Sequence, residues 1–341
     1  MKKLIFVTYD GIQNSVFSGQ VIQPLLKRIY NNPELKVYIV SFEKNTLSHD
    51  IITKFIPQNK NLVFVNFRRL PVLGKISLYP SVYYLKKFLK QFDNYEIISR
   101  GPLAGWVADK ALNQNCIKHI LQARGLLAEE YEFSHLPGKN IFKHVWHTWR
   151  KNFLFKIEKE AYTNKNCTIK PVSSALADYL IETYKADPNK IIIEKDDIPE
   201  LISQEQKNEW RVLSRKKLNI SPMTQIYCYN GAVKAWQCPD LVINYFQTKL
   251  EHEQNIFLLI LSQDKEEFEK MIARHANIKN YLVLSVKHED IYKYLCAADY
   301  GLIFRKSNHI VNWVSRPVKA MEYKAAGLKI IHNNTVKWLN E

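Results

Sequence analysis

Apolar residues in this chain fall into short runs, such as Leu4-Ile5-Phe6-Val7 and Phe257-Leu258-Leu259-Ile260-Leu261, set between longer stretches with helical spacing. The runs predict buried strands and the longer stretches predict amphipathic helices. Their alternation predicts βαβ units and parallel sheets. In the first half, strands are expected at 4–8, 37–40, 62–65, 96–98, 117–122, 168–172 and 191–193, with helices at 21–30, 81–92, 142–162 and 175–184. The polar stretch 196–206 lacks periodicity and reads as a linker. A second series follows, with strands at 226–229, 256–261, 281–284, 300–304 and 329–331 and helices at 240–249, 265–274, 289–296 and 319–326. The expected fold class is α/β, with two doubly wound domains, 1–200 and 201–341, facing each other across a cleft. Ligands of open parallel sheets bind beyond the carboxyl ends of the strands, so the loops that follow strands hold the candidates.

The richest candidate is the segment from Ala298 to Ile331. Its strand runs into a loop with Arg305, and a helix opens near Pro317, a residue suited to a first helical turn. Free amides at that helix start, with Arg305 and Lys319, form a cradle for a pyrophosphate. Glu322, one turn further on, is placed to accept hydrogen bonds from vicinal ribose hydroxyls. Taken alone, the same stretch also reads as a capped helix with a solvated lysine and glutamate.

The segment as a whole resembles the donor-binding stretch of retaining GT-B glycosyltransferases, above all the family-4-like enzymes of bacterial capsule and lipopolysaccharide synthesis. The resemblance is carried by Asp299-Tyr300-Gly301, Arg305, Asn312, Ser315-x-Pro317-Val318-Lys319-x-x-Glu322-Tyr323 and Ala326-Gly327-Leu328. It implies two Rossmann-like domains, a nucleotide-sugar donor linked to UDP or GDP, and Glu322 as the ribose ligand. Ser315, Pro317, Val318 and Lys319 are then donor-binding residues. Many members carry a second glutamate eight positions earlier, where this chain has Val314. Upstream, the run from Tyr227 to Gln237 resembles the family's glycine loop. Gly231 and Lys234 match the glycine and the lysine that clamps the diphosphate, and Ala232 stands where many members have an arginine. Arg305 then supplies the guanidinium. Arg305 and Lys234 are the expected catalytic residues, stabilising charge on the departing phosphate. No protein nucleophile is implied, and the cradle needs neither metal nor other cofactor.

The first half resembles the acceptor side more diffusely. Gly11, Ser15, Ser18 and Gly19 lie in a polar loop after the first strand, Arg100 ends another strand, and Arg124 and Glu129 belong to an Arg-Gly-x-x-x-Glu-Glu element. The implied acceptor is a saccharide or a lipid-linked saccharide. The family continues past Ile331 through a further strand and helix, so the chain is expected to be a short or truncated member.

Charge sharpens the choice of partners. Lys and Arg number 49 against 33 Asp and Glu, a net +16, and positions 68–170 alone carry 18 basic and 8 acidic side chains. Such a field draws phosphates or anionic headgroups. Residues 68–92 and 139–159 interleave cations with aromatics, as interfacial helices do, so peripheral contact with an anionic membrane is expected there. No nucleic-acid-binding signature accompanies them, and no nucleic-acid partner is expected. Five scattered cysteines without a C-x-x-C point to a reducing, cytoplasmic location, without a disulfide framework or zinc site. No apolar run approaches the ~20 residues of a membrane span. His144 and His147 have helical spacing but no third metal ligand nearby. The functions carried forward are a retaining glycosyltransferase of surface polysaccharide synthesis, a catalytically degenerate scaffold of the same fold, and a sugar-nucleotide epimerase.

Overall fold

A computed structural model describes residues 2–14, 17–135, 141–193, 201–287, 290–306 and 309–341. The chain divides into two compact units, Met1–Asp197 and Ile198–Glu341.

The first unit is built on six parallel strands: β1 (Lys3–Thr8), β2 (Lys36–Glu43), β3 (Leu62–Arg68), β4 (Tyr95–Arg100), β5 (Cys116–Ala123) and β6 (Thr168–Pro171), in the order β3-β2-β1-β4-β5-β6. The chain winds outward from β1 in one direction and then from β4 in the other, so the two strands flank the switch point. One face of this sheet is sealed by Leu4, Phe6, Val37, Ile39, Ile98 and Ile120, against Val21, Leu25 and Ile29 of the Gln23–Asn31 helix and its approach. The helix Gly101–Ala111 lies so close to β5 that a side chain at Gly105 would strike Leu121.

The second unit carries β7 (Gln225–Asn230), β8 (Ile256–Leu261), β9 (Tyr281–Leu284), β10 (Tyr300–Ile303) and β11 (Lys329–His332), all parallel, in the order β11-β10-β7-β8-β9. Successive residues of a strand point to opposite faces. Tyr227, Tyr229, Leu258 and Ile260 pack in one cluster, while Ile226, Cys228, Leu259 and Leu261 pack in another on the opposite face. Both faces are covered, which explains the unbroken apolar runs in the sequence. Here the switch point lies between β7 and β10.

Three expectations change. The strand expected at 191–193 is reduced to one bridge between Ile169 and Ile191, with Ile192 and Ile193 exposed. The Gln204–Lys217 helix begins inside the stretch read as linker, with Ser203 capping it by accepting from the Gln206 amide; residues 196–200 lie outside the described residues. Ser18 and Gly19 belong to a helical turn, Ser18–Ile22, rather than to an open loop.

Candidate functional site

The donor-side candidates converge at the carboxyl ends of β7 and β10. Gly301 on β10 has no side chain to hold the next helix away: a Cβ there would lie 2.3 Å from the Tyr323 ring. The ring therefore lies against the sheet, and its hydroxyl accepts from the Asn230 amide (2.8 Å) at the end of β7. This contact fixes the Val318–Ala326 helix, which starts at Pro317 with no side chain capping its first turn. Its amides are therefore directed outward from the helix start. Lys319 and Glu322, on this helix, are both buried.

Glu322 Oε2 accepts from Asn230 Nδ2 at 2.7 Å. Lys319 Nζ lies 4.1 Å from the centre of the Tyr229 ring and donates to Gln237 Oε1 at 3.0 Å, which also accepts from the Tyr229 hydroxyl at 2.8 Å. Gly231 sits beside them with φ +154°, and a Cβ there would come within 2.5 Å of Gln237 Oε1 and 2.7 Å of Lys319 Nζ. Only glycine combines that backbone with that space. Arg305 is buried just past β10. Asn333 clamps its backbone from both sides, accepting from its N–H at 3.3 Å and donating to its carbonyl at 2.6 Å. Burial pushes the Arg305 guanidinium down from its ordinary value. Burial, and then the charge of Arg305, push the Lys319 ammonium well down, against the opposing pull of Glu322. Two buried cations beside an uncapped helix start form an environment that an anion would stabilise.

Other donor-side candidates stand differently. Lys234 is exposed, with its ammonium 5.2 Å from the Trp236 ring centre, outside the buried group. The Ser315 hydroxyl donates back to Asn312 O at 2.8 Å. Pro317 and Val318 form the helix start itself, and Val314 is buried. Asp299, part of the motif, is structural: it pairs with Arg211 at 2.6 Å and Arg215 at 2.9 Å and accepts from the Ile226 amide.

In the first unit, Gly11 (φ +79°) and Ile12 are held by Glu43 at the end of β2, whose Oε1 accepts from the Ile12 amide at 3.0 Å and from the Ser41 hydroxyl. Arg100, buried at the end of β4, donates to Gln20 Oε1 at 2.5 Å. Gly11, Gly19 and Arg100 therefore belong to segments that meet at the switch point between β1 and β4. Ser15 lies outside the described residues. Arg124 is half-buried after β5, whereas Glu129 points to Lys151, 3.6 Å away, on the Ile141–Tyr162 helix. His147 bonds Tyr131 (2.7 Å). Among the described residues no three His, Cys, Asp or Glu side chains gather as a metal site.

A cavity of about 770 Å³ opens at the carboxyl ends of β1, β2 and β3. Asp10 and Glu130 face it from β1's end and from the Leu127–Ser134 helix. Both are accessible from the cavity yet ringed by protein. This desolvation raises Asp10, partly offset by Arg100 and Arg69, and pushes Glu130, with help from the charge of Asp10, up to about 7. Asp10 was not singled out from sequence, whereas Glu130 closes the Arg-Gly-x-x-x-Glu-Glu element. Glu43 was missed as well, although a carboxylate ending an apolar strand is a legible signal.

No protein-family model matches the chain, and no curated protein matches its sequence. Solved structures do match. A sucrose-phosphate synthase from Thermosynechococcus elongatus aligns with a TM-score of 0.69 and 15 % identity, over 98 % of this chain and 82 % of its own. WaaG, a glycosyltransferase involved in lipopolysaccharide biosynthesis, aligns with a TM-score of 0.64 and 14 % identity over 99 % and 82 %. The Anabaena protein HepE, solved in complex with UDP and glucose, aligns with a TM-score of 0.64 and 10 % identity over 100 % and 83 %. With two parallel-sheet α/β units and these neighbours, the chain has the GT-B fold, built from two Rossmann-like units.

Proposed function

We propose that the chain is a retaining glycosyltransferase that moves a sugar from a UDP- or GDP-linked donor to a saccharide or lipid-linked saccharide in surface polysaccharide synthesis. The observation that carries this reading is the buried trio Arg305, Lys319 and Glu322, with the half-buried Asn230 bonded to Glu322, at the switch point of the second sheet. In this reading Glu322 holds the ribose, Arg305, Lys319 and the first amides of the Val318–Ala326 helix hold the diphosphate, and Lys234 closes over it from the glycine loop. Charge that develops on the leaving phosphate meets positive groups already in place, which is where such catalysis gains most. Charge compensation is assigned to these groups without a metal ion. WaaG and the UDP complex of HepE support the donor class and the biosynthetic setting.

In this reading the protein works on the cytoplasmic side, at a membrane surface. Phe142, Val145, Trp146 and Trp149 recur at helical spacing on the Ile141–Tyr162 helix and are exposed, as are Leu70, Leu73, Ile76 and Tyr79 in the other basic stretch. Exposed aromatics among lysines favour an anionic interface. Among the described residues no helix is long and apolar enough to cross a membrane.

Val314, where the resemblance calls for a glutamate beside the sugar, favours one second reading: a scaffold that binds nucleotide without transfer. Calorimetric titration with UDP, GDP, ADP, CMP and dTDP, followed by donor turnover, decides between them. Selective binding of one nucleotide, lost in Glu322→Ala, together with consumption of its sugar conjugate, supports the transferase. Binding without consumption supports the scaffold, and binding unaffected by Glu322→Ala overturns the site.

A further inference from the structure

The cavity of the first unit has a charge pattern that the donor site does not explain. Its volume, about 770 Å³, falls in the ~300–1,000 Å³ range of small-molecule sites. It lies beyond the carboxyl ends of β1, β2 and β3, the edge where parallel sheets bind ligands. Four cations line it: Lys44 just past β2, Arg68 and Arg69 at the end of β3, and Arg150 from the Ile141–Tyr162 helix.

Two of these cations, Arg69 and Arg150, are positioned rather than merely nearby. The Arg69 amide donates to Glu43 O at 2.9 Å, and its guanidinium lies 4.9 Å from the Tyr9 ring centre. Its Nε is buried and has no hydrogen-bond partner among the described residues. Arg150 donates to the Val72 carbonyl and lies 5.7 Å from the Tyr131 ring centre. The ring contacts hold both guanidinium groups at the cavity wall, the Val72 bond orients that of Arg150, and a guanidinium fork matches phosphate oxygens. The carboxylates of Asp10 and Glu130 share the same cavity and offer acceptors suited to sugar hydroxyls.

We propose that this cavity binds a saccharide carrying a phosphate ester, with Lys44, Arg68, Arg69 and Arg150 taking the phosphate and Asp10 and Glu130 taking hydroxyls. Calling that ligand the acceptor rests on the transferase reading; the binding does not. A soluble sugar phosphate and a lipid-linked phosphate share this chemistry, and the test separates them.

The full chain is titrated with glucose 6-phosphate and with glucose, and sedimented with phosphatidylcholine vesicles with and without phosphatidic acid. Glucose 6-phosphate is expected to bind and glucose to bind far more weakly. Arg69→Gln is expected to weaken glucose 6-phosphate about tenfold, the loss of one charge-assisted pair. Arg68→Gln, at an exposed position, serves where Arg69→Gln does not fold. Binding only to phosphatidic acid vesicles, lost in the same variants, overturns the saccharide and leaves a lipid-phosphate site. Equal binding of glucose and glucose 6-phosphate, no binding to any probe, or binding unchanged in both variants overturns the proposal. Nucleotide titration of the same preparations separates the two failures. UDP or GDP binding that persists while the sugar phosphate fails leaves the donor reading intact, and the reverse result leaves only this site.

Discussion

Asn230 Nδ2 donates a 2.7 Å hydrogen bond to Glu322 Oε2, joining the end of β7 to a helix 92 residues later in the chain. The bond holds the carboxylate at the switch point, and a carboxylate can accept several hydrogen bonds at once. Glu322→Ala should weaken nucleotide binding by about 10- to 100-fold, the value of one or two charge-assisted bonds. Asn230→Ala should cost less, because it releases the carboxylate without removing it. Calorimetry of the two variants, with circular dichroism as a folding control, measures both.

Lys319 predicts a protonation signature. Burial and Arg305 hold its ammonium well below the ordinary value. A bound diphosphate favours the charged form, so binding takes up protons wherever the free lysine is neutral, and affinity should fall as pH rises. Binding enthalpies in buffers of different ionisation heat should reveal up to one proton taken up. Lys319→Met should abolish the uptake and weaken binding by about 2 kcal/mol.

Two glycines predict distinguishable failures. Gly301→Ala should destabilise the second unit by about 1–3 kcal/mol, because the added methyl must displace the Tyr323 ring. Gly231→Ala should lose both stability and nucleotide binding, because its φ of +154° strains any side chain and its Cβ presses on the Lys319 ammonium. Chemical denaturation and nucleotide titration of each variant distinguish stability from binding.

Glu158 gives the first unit a pH slope. It is buried, accepting from the Leu127 amide at 2.6 Å, the Ala128 amide at 3.0 Å and the Tyr184 hydroxyl at 2.9 Å. Burial raises its carboxyl from 4.5 to about 7. The folded state then holds more protons than the unfolded one between those values, so this group removes stability as pH rises from 4.5 to about 7. His119 acts oppositely. Burial lowers it from 6.5 to about 4, so its share of stability is lost as pH falls through that window. Glu130, also raised to about 7, adds to the Glu158 slope, so denaturation midpoints should fall as pH rises from 4.5 to 6.5, and His119→Gln should steepen that fall. Glu158→Ala should cost about 3 kcal/mol, since it leaves buried donors unpaired.

The exposed aromatic face predicts membrane partition. Phe142→Ser combined with Trp146→Ser should reduce binding to anionic vesicles by about tenfold or more, given the apolar area each ring would bury. Raised salt should weaken the remaining binding. Equal sedimentation of wild type and the double variant would remove the membrane from the functional reading.

The parallel strands were legible because burial on both faces leaves runs such as Phe257–Leu261 with no polar interruption. The Gly101–Ala111 helix was not: it is buried on most sides, so its residues show no amphipathic period, and its glycines read as loop. Ile191–Ile193 had strand composition but only β6 beside it, and composition alone cannot supply a partner. At the site, Lys319 and Glu322 were readable because one helix carries both at fixed spacing. Arg69 and Glu130 lay in stretches noted in the sequence, but their meeting with Asp10 was not readable, because three separate crossovers bring them to one cavity.

Glu43 gives the Gly11–Ile12 turn a particular character. Its carboxylate already occupies the amide that such a turn would otherwise present to a phosphate, and a side chain at Gly11 would come within 2.7 Å of that carboxylate. The turn thus carries its own built-in anion. A ligand reaching this strand end meets a neutralised backbone and a negative oxygen behind it, so the wall repels phosphate and suits a hydroxyl. The discrimination is supplied by a strand residue that need never touch the ligand.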